Sequence, residues 1–121
     1  MKKVLIIEDE QILLTLLVRK LKEEGYEAMG AYDGEEGMKK VREFMPDLVL
    51  LDIVMPRKDG FTVMEEMQAD EKLKNIPVVI ISNSGQEVEL DKARELGVKD
   101  WLIKTEFDPK EVIEKVKKQI G

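Results

Sequence analysis

The chain has 121 residues, 43% of them hydrophobic and 38% charged, with a formal net charge of −6. That is the size of one domain, long enough to bury about two thirds of its unfolded surface without disulfide or metal staples. There is no Cys and no His. This excludes a disulfide framework, a Cys-based zinc site, a thiol nucleophile, and imidazole as ligand, base or phosphoryl acceptor. Any metal site must be built from oxygens, which favours Mg²⁺, Ca²⁺ or Mn²⁺. The acidic balance argues against nucleic acid as the main partner, because phosphate binding needs a basic face.

After basic Met1-Lys2-Lys3, the apolar run Val4–Ile7 reads as a fully buried strand. It stops at Glu8, too short for a signal peptide or a membrane span, so a cytoplasmic protein is expected. Glu10–Glu24 reads as a helix with Gly25 at its C-cap. Tyr26–Ala31 is a weaker strand. Asp33 opens a capping box with Glu36, and that helix runs to about Phe44 before Pro46 breaks it. Asp47–Leu51 is a second buried strand, ended by Asp52. Ile53–Asp59 is a loop carrying Pro56, followed by a helix from about Gly60 to Ala69 and a polar connection over Asp70–Ile76. Pro77–Ile81 is a third β-branched run, Gln86–Leu96 a helix stopped by Gly97, and Trp101–Ile103 a last short strand. Asp108, Pro109 and Glu111 supply N-cap, N1 and N3 of a final helix to Gln119.

Five strand–helix units in succession imply a parallel sheet covered on both faces, a doubly wound α/β fold. The uninterrupted apolar runs agree, since such strands are buried on both sides. No repeat, linker or low-complexity segment interrupts residues 1–121, which read as one domain. The last helix runs to residue 119 of 121, so no output domain is expected within these residues.

In open parallel sheets, sites form beyond the carboxyl ends of the strands. Glu8-Asp9 follows the first strand, Asp52 the third, Ser82 ends the fourth, and Lys104 follows the fifth. Each has a plain reading on its own. Asp9 is a helix cap, Asp52 a loop residue, Ser82 a turn residue and Lys104 a solvated charge. Together they suit phosphoryl transfer. Clustered carboxylates repel one another at low dielectric and call for a hard divalent cation. The cation neutralises an incoming phosphoryl group, Lys104 pairs with one of its oxygens and Ser82 donates to another. A carboxylate nucleophile gives an aspartyl phosphate.

These residues resemble the response-regulator receiver family over essentially the whole chain. The likeness rests on Val4-Leu5-Ile6-Ile7-Glu8-Asp9-Glu10, on Asp47 through Pro56 with Asp59-Gly60, on Ile80-Ile81-Ser82-Asn83, and on Lys104. The resemblance implies a flavodoxin-like (βα)5 sheet in the order 2-1-3-4-5. It implies Asp52 as phosphoacceptor in a two-component phosphorelay. Mg²⁺, with Mn²⁺ as the alternative, would be held by Glu8, Asp9, Asp52 and the backbone carbonyl of Val54. Ser82 would move onto the phosphoryl group, Lys104 would pair with it, and Trp101 would be the aromatic that reorients with Ser82. The donor would be a phosphohistidine on a sensor histidine kinase or phosphotransfer protein. Phosphorylation would change the face made by the fourth helix, fifth strand and fifth helix, including Glu87, Asp91, Arg94 and Trp101. An unknown output partner would read that change, with the chain a monomer or a phosphorylation-dependent dimer.

The chain departs from the family pattern at three positions. Thr105 stands where Pro is usual, often in a cis peptide; a cis bond before Thr costs about 3 kcal/mol more than trans. Trp101 stands where Tyr or Phe is usual, and Glu8 replaces the commoner Asp. On the first helix, Leu14, Leu17, Val18 and Leu21 make the i, i+3, i+4, i+7 stripe expected to face the sheet. Ile12, Leu13 and Leu16 fall outside it and form an expected docking patch for the kinase, a wide core face being the alternative. Val54 and Ser84, each two residues beyond a site residue, lack any group to orient an attacking water, so slow self-dephosphorylation is expected. An aspartyl-nucleophile phosphatase would need a second acid where Val54 sits. A nucleotide or flavin module would need a Gly-rich phosphate loop, which is missing. A degenerate receiver acting as an interaction scaffold is opposed by the complete set of Glu8, Asp9, Asp52, Ser82 and Lys104.

Overall fold

The computed structural model describes residues 1–55, 57–82, 87–104 and 108–121, with backbone alone at 87–89. The elements are β1 (Lys3–Ile7), α1 (Gln11–Glu23), β2 (Glu27–Ala31), α2 (Gly34–Phe44), β3 (Leu48–Asp52), α3 (Gly60–Gln68), β4 (Val78–Ser82), α4 (Glu87–Glu95), β5 (Asp100–Ile103) and α5 (Pro109–Ile120). All strand pairings are parallel, in the order β2-β1-β3-β4-β5. This is the doubly wound α/β sheet expected from the alternation of elements.

The apolar runs divide between two cores by the period-2 alternation of a strand. Leu5, Ile7, Val49, Leu51 and Ile80 pack with Met38, Val63, Met64 and Ala93 of α2, α3 and α4. Val4, Ile6, Leu48, Leu50, Val79 and Ile81 pack with Leu17, Leu21, Val112 and Val116 of α1 and α5. Each fully buried Leu or Ile contributes about 1.5–3 kcal/mol of transfer free energy.

The caps follow the expected chemistry. Asp33 accepts from the Glu36 amide, Asp59 from Thr62, and Asp108 from Lys110 and Glu111. Gly25 and Gly97 take positive φ where α1 and α4 stop. Two expectations are corrected. The polar connection over 70–76 forms turns that bury Leu73 in the α2–α4 core. Leu13 is half-buried and packs on the α1–α5 core instead of standing on the outer face. Val18, expected to face the sheet, packs on that same core, half-buried.

Candidate functional site

Because the strands are parallel, their carboxyl ends share one rim. Pairing of Ile7 with Leu51, and of Asp52 with Ile81, sets the end of β3 between those of β1 and β4. Glu8 and Asp52 are buried, at 0% and 1% exposure. Carboxylate oxygens of Glu8, Asp9 and Asp52 all lie within 4.8 Å of one another. Lys104 enters from the far side of the sheet. Its amide donates to the Ser82 carbonyl at 2.7 Å, which fixes where its side chain starts. Its ammonium donates to Glu8 Oε2 at 3.1 Å and Asp52 Oδ2 at 3.2 Å. Glu8 Oε1 is 3.0 Å from the same nitrogen. That contact is an ion pair; among the described residues this buried oxygen has no further hydrogen-bond partner.

The backbone orients the two buried acids. The Glu10 amide donates to Glu8 Oε2 at 2.8 Å, and the Val54 amide to Asp52 Oδ1 at 3.3 Å. The first residue of α3 is pressed onto β3: a Cβ at Gly60 would lie 2.5 Å from the Asp52 carbonyl oxygen, so only glycine fits there. Burial, followed by the charge of Glu8, pushes the Asp52 carboxyl from its ordinary 3.8 up to about 7, against the opposing pull of Lys104. Burial also raises Glu8, partly offset by the Glu10 amide and Lys104. For Lys104, burial works to lower the ammonium's pKa, but its hydrogen bond to Glu8 and the charge of Asp52 outweigh it and raise the value.

Four of the five expected rim residues are therefore brought together, and Ser82 sits on the adjoining strand end, 4% exposed. A residue missed in the sequence is Glu10. Its Oε2 is 3.6 Å from Lys104 Nζ, making it a third carboxylate around one ammonium. The acidic run Glu8-Asp9-Glu10 carries the signal, Glu10 adjoining the two expected ligands. Trp101 is half-buried in β5 against the α2–α4 core, with the Arg94 guanidinium 4.8 Å from its ring centroid. Of the expected docking patch, Ile12 is 88% exposed. Ile12 and Leu16 line a shallow hollow of about 450 Å³ with Gln11, Thr15 and Arg19. The Lys104–Thr105 peptide, Ser84 and the Glu87 side chain lie outside the described residues.

The sequence pattern of the family described as the response regulator receiver domain matches residues 4–117. The chain belongs to that family. It is 34% identical, over 96% of its length, to the alkaline phosphatase synthesis transcriptional regulatory protein PhoP of Bacillus subtilis (strain 168). It is 33% identical, over 97%, to the DNA-binding dual master transcriptional regulator RpaA of Synechocystis sp.. The chain spans about half the length of these relatives, 47% and 48%. The fold of the chemotaxis protein CheY4 of Vibrio cholerae superposes with a TM-score of 0.93 at 23% identity, covering 99% of both chains. A CheY-like receiver domain protein of Methanospirillum hungatei JF-1 gives 0.90 at 23% identity, over 98% of this chain and 92% of that one. The chain is thus a receiver domain of the two-component response regulators, a regulatory module. Among the described residues, no helix is long and apolar enough to cross a membrane.

Proposed function

We propose that this receiver takes a phosphoryl group onto Asp52 from a phosphohistidine of a sensor histidine kinase or phosphotransfer protein. Supporting this is one observation above all: Asp52 is buried at the rim with Glu8 and Asp9 in ligand reach and, among the described residues, one ammonium, Lys104, to answer their charge. The donor set fits Mg²⁺, or Mn²⁺ in its place, because it is all oxygen and one carboxylate oxygen from each of Glu8, Asp9 and Asp52 lies within 4.8 Å of the others. Glu8, Asp9 and Asp52 would hold the ion, with the backbone carbonyl of Val54. When bound, it supplies charge neutralisation for the carboxylates and the phosphoryl oxygens.

The chain's own groups do the rest. An ionised Asp52 oxygen attacks phosphorus, a P–O bond forms, and the P–N bond breaks with its electron pair returning to the donor imidazole. Lys104, already 3.2 Å from Asp52, pairs with a phosphoryl oxygen. Ser82, at the neighbouring strand end, donates a hydrogen bond to another. Drawing these two groups onto the phosphoryl oxygens pulls on β4 and β5. The pull reaches Trp101 and the α4–β5–α5 face, where an output partner or a second copy would bind. The receiver takes its signal in the cytoplasm.

Intact mass after acetyl phosphate and Mg²⁺ tests the reading. One phosphoryl adduct is expected on the wild type and none on Asp52→Asn. No adduct on the wild type, or an adduct that survives in Asp52→Asn, overturns it. Exposed Ile12 and half-buried Leu16 are the contacts proposed for the donor's helices. Ile12→Ala with Leu16→Ala should slow transfer from the kinase about tenfold, a loss of about 1.4 kcal/mol, while leaving acetyl phosphate labelling intact. An unchanged transfer rate removes that patch.

A further inference from the structure

Two loops that leave the sheet at the same rim are fastened to each other. The first follows β2. Its start is tied to the acidic cluster, because the Glu8 amide donates to the Ala31 carbonyl at 3.0 Å. Two residues on, Asp33 is 9% exposed and divides its carboxylate. Oδ1 accepts from the Glu36 amide at 2.9 Å as the cap of α2. Oδ2 faces Arg57 Nη1 at 3.4 Å. The second loop runs from Asp52 to Asp59. Arg57 sits in it at φ 68°, a left-handed conformation uncommon for a residue with a Cβ, and its side chain is 67% exposed.

The two loops also touch through backbone. A Cβ at Gly34 would lie 2.0 Å from the Lys58 carbonyl oxygen, and Lys58 Nζ is in turn 2.6 Å from Glu66 Oε2 of α3. The contacts form a closed course from Glu8 through Ala31, Asp33 and Gly34 to Arg57 and Lys58. Through Gly60 it returns to Asp52.

We infer that the Asp33–Arg57 ion pair is a positioning device. It fastens the loop after β2 to the loop after β3, and so steadies the rim where Glu8 and Asp52 would hold a divalent cation. The inference rests on the metal-binding reading above. It is distinct from a simple charge effect, which has the opposite sign at Arg57. Removing a positive charge near an acidic site should strengthen cation binding; loosening the rim should weaken it.

The experiment is a calorimetric Mg²⁺ titration of the wild type, Asp33→Asn, Arg57→Ala, their double variant, Arg57→Lys and Arg57→Gly, each with a metal-free melt. Asn caps a helix as well as Asp, so Asp33→Asn keeps α2 and loses only the pairing charge. Each of Asp33→Asn and Arg57→Ala should weaken Mg²⁺ about threefold. The double variant should weaken it no further than one single, the non-additivity of a shared contact. Arg57→Lys should stay within about twofold, since its charge still reaches Asp33. Arg57→Gly should melt at or above the wild-type temperature, because glycine adopts positive φ freely, yet bind Mg²⁺ about threefold more weakly. Stability and affinity then move apart, which a merely structural role would not produce. Tighter or unchanged binding in Arg57→Ala, or additive effects in the double variant, overturns the inference while leaving the proposed function standing. A wild type that binds no Mg²⁺ removes both.

Discussion

The strand β5 has a lysine–carboxylate contact at each end, and the two are unlike. At its start, Asp100 accepts from Lys115 of α5 and from the Trp101 amide, both at 2.8 Å. Burial opposes ionisation there, but Lys115 and that amide more than offset it, and the Asp100 carboxyl is held below its ordinary value. Past its end, Lys104 faces Glu8, Glu10 and Asp52, with Asp9 beside them. There burial and the neighbouring acid win, and Asp52 rises to about 7. The contact chemistry is the same; burial and stoichiometry differ, the Asp52 and Lys104 side chains being 1% and 7% exposed against 18% and 30% for Asp100 and Lys115. One acid for one lysine is a settled structural pair, whereas several acids around one buried lysine is a charge deficit that a second cation would relieve.

Truncating the two lysines should separate the ends most. Lys104→Ala strands buried acids and should cost the metal-free protein about 2–4 kcal/mol, recovered in part by Mg²⁺. Lys115→Ala at the half-exposed pair should cost about 0.5–1 kcal/mol, with no recovery. Chemical denaturation with and without Mg²⁺ measures both. Equal losses would erase the distinction.

The pH dependence of stability should also have opposite slopes at the two ends. Because the folded pKa of Asp52 lies above its ordinary 3.8, folding favours the protonated acid. That contribution is complete below about pH 4 and fades as pH climbs through about 7. Metal-free protein should therefore lose stability between about pH 4 and 7, and Asp52→Asn should reduce that slope, the raised Glu8 keeping part of it, and gain about 1–2 kcal/mol at pH 8. Asp100, lowered, contributes stability above the ordinary carboxylate range that is lost on acidification. Asp100→Asn should cost about 0.5–1 kcal/mol at pH 7 and less below pH 4. Melts across pH on the two variants decide it; a flat wild-type profile between about pH 4 and 7 would count against the raised Asp52.

The frame and the main site were legible because they depend on local signals. Runs such as Val4–Ile7 and Leu48–Leu51 announce buried strands, and parallel strands put whatever follows them on one rim. The sheet order came from the family likeness, since alternation alone does not rank the strands. The parts that escaped are contacts between distant loops or at the edges of periodic stripes. Leu13 lies just off the helical stripe but still reaches the core. Leu73 sits in a polar stretch whose turns carry it inward. Asp33 was readable as a cap, but its second oxygen meets Arg57 only once a left-handed residue has shaped the loop. Glu10 becomes part of the site only when Lys104 crosses the sheet to meet it.

The central claim is that Glu8, Asp9 and Asp52 share one divalent cation. Anomalous diffraction from crystals grown with Mn²⁺ tests it most directly. A single strong peak in contact with oxygens of all three residues is the expected result. A peak bound elsewhere, or none at a concentration that supports phosphorylation, would contradict it.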